Sequence, residues 1–223
     1  MLRERVPANI RVSFVSLRLN QPPITLRDLN QFLPARPLER WVEDYRRQRI
    51  DVISEIDRLS VLEKLSILNT EQEQYFEDLV DNVRDILGVP VAVISLVGRE
   101  EQWFKAVRGL PVCSTEREVA FCATAMYEPH GLAVSDARND ERFESNRLVR
   151  GEPGIRSYLG APLIVHDNVP IGALAGISFE TREWKPAERT LMRRLARQTA
   201  EFIEMRGYHL AAKPDLDEPR IAC

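Results

Sequence analysis

Residues 89–107 read VPVAVISLVGREEQWFKAV, and they carry the clearest signal of the fold class. Its first part, Val89 to Val97, is rich in β-branched residues and too short for a helix, so it predicts a core strand. Gly98, Arg99 and Glu100 then supply a turn. The following residues, 101–107, predict a second strand that pairs with the first as a β-hairpin.

A second hairpin is predicted further along the chain. Its strands are Ile155 to Val165 and Val169 to Phe179, and Leu132 to Val134 adds a shorter strand. Hairpins at both ends of the run favour an antiparallel sheet. The predicted fold class is therefore α+β, with an antiparallel sheet of five to six strands and helices on both faces.

Local signals mark three helices around this sheet. Thr70 to Glu73 fits a capping box that opens a helix, which Gly88 ends. Residues 115–118 fit a second capping box, which predicts a helix that includes Ala120 to Tyr127. The last helix is predicted from Pro186 to about Arg206.

The N-terminal segment differs in character from the rest of the chain. Residues 1–50 carry ten arginines against five acidic residues, a net charge of +5, so the remainder carries −8 of the total of −3. Residues 1–35 are predicted to be a basic appendage, residues 36–59 an amphipathic signalling or dimerisation helix, and residues 208–223 a flexible tail. The helix has an a/d pattern at Leu38, Val42, Tyr45, Arg49, Val52, Ile56 and Leu59. This pattern suits packing on its own domain or a two-stranded coil with a second copy.

Several function classes are excluded or disfavoured. The apolar stretches are far shorter than the ~20 residues that span a bilayer, and no signal peptide is recognised, so we expect a cytoplasmic protein that contacts no membrane. Three scattered histidines and three cysteines predict no metal site. Glycine-rich phosphate loops and hydrolase motifs are absent from the sequence. The arginines of the N-terminal segment are spread among acids and prolines, which disfavours nucleic acid as a partner.

A series of short motifs in a fixed order resembles the GAF sensor domain, in the bacterial form attached to histidine kinases and diguanylate cyclases. The motifs are LSILNT (65–70), VRDILGVP (83–90), ISLV (94–97), QWFKA (102–106), TEREVAFC (115–122), VSDA (134–137), DERF (140–143), IRSY (155–158) and GAPL (160–163). The resemblance covers residues 58–207. It implies a PAS-like sheet, a small-molecule pocket between one sheet face and the segments after Gly109 and Asp136, and dimerisation through the first and last helices.

The chain departs from the family pattern at the expected pocket floor and at known ligand motifs. Ala175 and Gly176 stand where relatives carry a larger residue, and a carboxylate is missing nearby. The cyclic-nucleotide signature of some relatives is not found, which leaves a cyclic nucleotide unsupported. Covalent bilin is disfavoured, because neither Cys113 nor Cys122 is followed by histidine.

Two roles remain open for the residues near the implied pocket. The expected ligand-binding set is Trp103, Phe104, Phe121, Cys122, Asp136, Phe143, Arg156, Tyr158, Leu163 and Ala175. The aromatic members suit either an apolar pocket or the hydrophobic core, and Asp136 and Arg156 would be its polar groups. The identity of the ligand or cofactor is not predicted.

Cys122 carries the one catalytic alternative. Its place resembles that of the nucleophile in the GAF-fold free methionine-(R)-sulfoxide reductase, and Cys113 would then be the resolving thiol. If the helix begins at Thr115, Cys122 lies beyond the reach of the helix dipole; if it begins near Ala120, the dipole activates the thiolate.

The sequence therefore predicts a non-catalytic sensory or regulatory GAF module in signal transduction. It would bind a small molecule, form a homodimer and transmit its ligand state through its first and last helices to a separate output protein. The alternatives are the methionine sulfoxide reductase and a ligand-free scaffold for protein–protein interaction.

Overall fold

The computed structural model describes residues 55–165 and 168–211. These residues lie within one of the two units of the chain, Glu43–Cys223, and the other unit is Met1–Val42. The predictions for residues 1–35, for most of the 36–59 helix and for the 208–223 tail after residue 211 lie outside the described residues.

A six-stranded sheet forms the centre of the domain. In chain order the strands are β1 (Val91–Val97), β2 (Glu101–Arg108), β3 (Ser114–Glu116), β4 (Leu132–Val134), β5 (Ser157–Val165) and β6 (Val169–Ser178). Their order across the sheet is β3-β2-β1-β6-β5-β4, and every neighbouring pair is antiparallel. Both predicted hairpins are present, and the α+β class with an antiparallel sheet is confirmed.

Five α-helices accompany the sheet in the described part of the chain. They are α1 (Glu55–Lys64), α2 (Gln74–Leu87), α3 (Phe121–Ala125), α4 (Arg147–Arg150) and α5 (Pro186–Ala211). α2 ends as predicted at Gly88, which adopts the left-handed conformation at φ 61°. The N–H groups of Gly88 and Val89 bond to the carbonyls of Asp85 and Arg84, which closes the helix end.

The two faces of the sheet carry separate hydrophobic clusters, because successive side chains of a strand point to opposite faces. One cluster joins Ile94, Trp103 and Leu163 to apolar residues of α1, α2 and α5. The other joins Val93, Phe104 and Tyr158 to the short helices and loops of residues 120–155. The long helices therefore cover one face, and the irregular segments cover the other.

Both predicted capping boxes are wrong. The first turn of α2 is preceded by Glu73, and no side chain caps it. Thr70 and Glu73 instead bind the buried Lys105 of β2, at 2.8 Å from its Nζ to Thr70 Oγ1 and 2.7 Å to Glu73 Oε1. Hydrogen bonds to these oxygens stabilise the buried ammonium group strongly, because no water reaches it. The exposed N–H groups at the start of the helix need them less, because water satisfies those groups.

The second capping box fails because its residues join the sheet. Thr115 pairs with Gln102 as part of β3, and a 3₁₀ turn, Arg117–Val119, follows. The helix therefore begins only at Phe121. This late start places Cys122 in the first turn of α3, the second of the two positions considered from the sequence.

Candidate functional site

The candidate site lies on the sheet face that the irregular segments cover. The cover segment, residues 117–127, contains the 3₁₀ turn and α3, and it directs Phe121 and Cys122 toward the sheet. Phe143 and Val149 of the following loop and helix are buried in the same cluster. Two small residues of β6, Ala173 and Ala175, belong to the same buried cluster.

A polar group lies inside this apolar cluster. The Tyr158 hydroxyl donates to Cys122 Sγ at 3.3 Å, and the Ser95 hydroxyl donates to the Ala173 carbonyl at 3.4 Å and also contacts the thiol. All three side chains are buried. Buried polar groups are normally retained only when they are bonded, so these three residues form one connected unit.

Burial decides the ionisation of this unit. It raises the pKa of the Cys122 thiol, and the hydrogen bonds with Ser95 and Tyr158 only partly offset this effect. Burial also raises the pKa of Tyr158 well above its ordinary value, and the neighbouring thiol adds to the shift. Both groups are therefore protonated at neutral pH.

Aromatic rings enclose the polar unit. Phe121 and Phe143 stack with their ring centroids 4.0 Å apart and their planes at 8°, and Tyr158 lies 5.3 Å from Phe121. The Tyr158 ring folds back along its own strand over Gly160, where a Cβ atom would stand 2.3 Å from the hydroxyl oxygen. A glycine at this position is thus required for the observed orientation of the tyrosine.

The structure brings together only some of the residues expected to bind a ligand. Those that share the covered face are Phe104, Phe121, Cys122, Phe143, Tyr158 and Ala175. Trp103 and Leu163 lie on the opposite face with the long helices. Each is an odd number of positions from a member of the cluster on its strand, so the alternation of the strand directs it away.

Asp136 and Arg156, the two expected polar groups, bond to other partners. Arg156 donates to the backbone carbonyls of Val149 and Ile155, at 2.9 and 3.1 Å. Asp136 pairs with Arg138 at 2.7 Å, and this contact lowers the pKa of the carboxyl group. Both residues therefore hold the loops between β4 and β5 in place.

Ser95 belongs to the candidate site although it is not among the residues predicted from the sequence to bind a ligand. It is the one polar residue within the strand VAVISLV, and it shares the phase of Val91 and Val93. A lone hydroxyl in a fully buried strand is the signal that identifies it.

The geometry of Cys122 does not favour nucleophilic chemistry. The residue lies in the first turn of α3, but that helix has only five residues, and burial raises the pKa of the thiol. Cys122 is a free thiol, whereas Cys113 is disulfide-bonded. The two cysteines are therefore not paired with each other as nucleophile and resolving thiol.

Ion pairs fasten the cover segment to α1. Arg117 binds the carboxylate of Glu55 and donates to the Gly98 carbonyl at 3.0 Å. Tyr127, at the other end of the segment, donates to Glu55 at 3.3 Å. The buried Arg58 completes the group with a two-pronged bond to Glu55, at 2.7 and 2.8 Å. Hydrogen bonds from Arg58 and Arg117 lower the pKa of Glu55 to about 2, although burial acts in the opposite direction.

On the other face, a second ion-pair group joins β2 to α5. Glu73 Oε1 accepts from Lys105 Nζ and from Arg206 Nε, each at 2.7 Å. Lys105 also donates to the Glu71 carbonyl at 2.6 Å. The sheet, the start of α2 and the last turns of α5 are therefore tied together through one carboxylate.

Within residues 55–165 and 168–211, no three side chains of His, Cys, Asp or Glu converge as ligands of a metal ion. In the same ranges, no helix has the length and apolar character needed to cross a membrane.

The chain is similar to known proteins in sequence and in structure. The chain is 33% identical over 165 residues to a cyclic di-GMP phosphodiesterase of Pseudomonas aeruginosa, a match that covers 74% of the chain and 28% of that protein. The chain thus spans less than a third of the length of this relative.

Solved structures with the same fold have low sequence identity. The blue-light absorbing form of the PixJ GAF domain of Thermosynechococcus elongatus aligns with a TM-score of 0.51 at 18% identity, over 70% of this chain and 94% of that one. A type II free methionine-R-sulfoxide reductase of Thermoplasma acidophilum aligns with a TM-score of 0.49 at 10% identity, over 59% of this chain and 92% of that one. The latter likeness carries no argument for a shared activity.

The family model named GAF domain matches residues 71–203. This range includes all six strands and most of α5. It also includes Ser95, Cys122 and Tyr158. The chain therefore belongs to the GAF domain family.

Proposed function

We propose that this chain is a sensory or regulatory module that binds a small molecule on the covered sheet face. The observation that carries the proposal is the unit of Ser95, Cys122 and Tyr158, three bonded polar groups inside an apolar cluster. An apolar chamber with a few fixed polar groups is the usual composition of a small-molecule site. The ligand would be largely apolar, with one or two groups that bond to the hydroxyls or the thiol.

The connection to α1 supports a signalling role for this site. Phe121 and Cys122 face the sheet, while Arg117 and Tyr127 of the same cover segment contact Glu55. A ligand that displaces the cover segment would therefore disturb the first turn of α1. The contacts between the cover segment and α1 would then differ between the ligand-free and the ligand-bound state, and a signal can be transmitted only where such a difference exists.

We further propose that α1 and α5 form the contact surface of a homodimer. Ile56, an a/d residue of the predicted helix, is 73% exposed, and Met205 and Tyr208 near the end of α5 are 59% and 63% exposed. Apolar side chains at these positions suit burial against a second copy. The dimer would act on a separate output protein in the cytoplasm.

The similarity to a cyclic di-GMP phosphodiesterase suggests the process in which the module acts. We propose that its output belongs to cyclic dinucleotide signalling. The match covers 28% of that protein, so the catalytic activity that its name states is not transferred to this chain.

Native mass spectrometry of the chain purified from its own host tests the ligand site directly. We expect a retained small molecule in the wild type and a reduced occupancy in Tyr158→Phe, because this variant loses the hydroxyl that bonds to Cys122. Tyr75→Phe is the matched control, since Tyr75 is half-exposed and lies on the other side of the sheet beside Phe202. Absence of any bound molecule from the wild type would support the scaffold alternative instead.

Hydrogen exchange tests the connection to α1. Glu55→Gln should speed amide exchange in residues 117–127, because it removes the anion shared by Arg117 and Arg58. Glu63→Gln, an exposed change on the same helix, should leave that exchange unchanged. Equal exchange in both variants would contradict the proposed route. Sedimentation of a concentration-independent monomer would contradict the dimer.

A further inference from the structure

A groove of about 310 Å³ lies at the edge of the sheet, away from the polar unit of Ser95, Cys122 and Tyr158. Its walls come from the loops before and after the edge strand β4, from β4 and β5, and from the N-terminal half of α5. Three arginines line it, namely Arg142, Arg189 and Arg193. This volume is at the lower end of the range for small-molecule sites.

Two of these arginines have no carboxylate partner among the described residues. Arg189 donates to the Trp184 carbonyl at 3.2 Å. Arg193 donates to the His130 carbonyl and to Thr190 Oγ1, each at 3.2 Å. Arg142 differs, because it pairs with Asp140 at 2.7 Å and lies 3.9 Å from Glu128.

The placement of Arg189 and Arg193 is electrostatically unfavourable for the helix. They stand four residues apart on α5, where like charges repel across one helical turn. Arg189 also lies in the first turn of the helix, where the helix dipole favours anions over cations. A bound anion between them would relieve both effects.

We propose that this groove binds the phosphate group of a small phosphorylated molecule. Two uncompensated guanidinium groups match the charge of a phosphate monoester, which is close to −2 at neutral pH, better than that of a single carboxylate. The forked donors of arginine suit the oxygens of phosphate. The carboxylate of Glu128 also lines the groove, on the side of Arg142. The apolar lining residues, among them Leu132, Ala133 and Leu159, would contact the uncharged part of the ligand.

Such a ligand would join the loop before β4 to α5. Arg193 already bridges these elements through the His130 carbonyl, and a phosphate held by Arg189 and Arg193 would add a second bridge. This site is independent of the ligand proposed for the covered sheet face, and either can exist without the other.

Titration of the full chain with inorganic phosphate, followed by nuclear magnetic resonance at constant ionic strength, tests the proposal. We expect saturable shifts of the amide signals of residues 130–133 and 189–193. The double variant Arg189→Gln/Arg193→Gln should bind at least roughly tenfold more weakly, because it loses two charge-assisted bonds. Arg194→Gln/Arg197→Gln, which removes the same charge from other positions of α5, should bind like the wild type.

Three results would overturn the proposal. They are a lack of saturable shifts in these segments, an equal loss of affinity in the two double variants, and unchanged affinity in Arg189→Gln/Arg193→Gln. Acetate provides the comparison with a monoanionic carboxylate, and we expect its affinity to be clearly lower than that of phosphate. Equal affinities of phosphate and acetate would also contradict the proposal, because the groove would then bind small anions without a preference for phosphate. Thermal unfolding of each variant confirms that the fold is retained.

Discussion

Replacement of Gly160 by alanine should force Tyr158 out of its observed position. A Cβ atom at residue 160 would stand 2.3 Å from the tyrosine hydroxyl oxygen and 2.6 Å from two ring carbons. Real Cβ atoms do not approach other atoms so closely. The tyrosine cannot easily turn aside, because its side chain is fully buried and lies against Phe121 and Cys122.

The expected cost follows from the class of change. Overpacking of a filled core costs about 1–3 kcal/mol. For a domain of this size, that corresponds to a fall of roughly 2–12 °C in the unfolding temperature. Urea unfolding of Gly160→Ala and wild type, followed by circular dichroism, measures this difference.

A double-mutant cycle separates the clash with Tyr158 from other effects of the alanine. In a Tyr158→Leu background the ring is gone, so Gly160→Ala should cost at least about 1 kcal/mol less than in the wild type. An equal cost in both backgrounds would refute the argument, since the destabilisation would then arise from the strand itself. The argument would also be refuted if Gly160→Ala unfolded with the same free energy as the wild type.

Three further predictions concern charged and ionisable groups. Lys105→Met should destabilise the domain by about 2–4 kcal/mol in urea unfolding, because it leaves Glu73 and the nearby oxygens without their buried cation. Lys64→Met, at an exposed site, is the control and should have little effect. The pKa of Glu55 falls from its ordinary value of 4.5 to about 2 on folding, so the stabilisation from its ion pairs is present above pH 4.5 and is lost as the pH falls toward 2. Glu55→Gln should therefore flatten the dependence of the unfolding free energy on pH in this range. An unchanged dependence would contradict the assignment of the ion pairs. Burial and the raised pKa of Cys122 predict that iodoacetamide at pH 8 labels this thiol only after unfolding, and peptide mapping by mass spectrometry that finds rapid labelling in the native state would show the opposite.

The sheet could be predicted because its signals are local and redundant. The β-branched run of residues 91–97, the turn at Gly98 and the alternation that follows all indicate the same hairpin, and the structure contains it. The two capping boxes had only one local pattern each in their favour. Contacts with residues distant in sequence determine the structure at both places, since Thr70 binds Lys105 and Thr115 pairs with Gln102.

The candidate site was predictable only in part. Trp103 and Phe104 are adjacent on one strand, so alternation alone places them on opposite faces, and the same parity separates Leu163 from Tyr158. The burial of Arg58 could not be foreseen, because it depends on Glu55 and on the carbonyl of Gly98, forty residues away. Contacts at such separation leave no periodic trace in the sequence.

The stacked pair of Phe121 and Phe143 has a kinetic consequence for any molecule that enters the covered face. Rings 4.0 Å apart leave no room for a further planar group between them, so entry between the rings requires that they first separate. Opening would then limit the rate of association, which would level off at high ligand concentration instead of rising in proportion to it. The same closure would slow departure, and a module of this kind would respond to the sustained presence of its ligand more than to brief pulses.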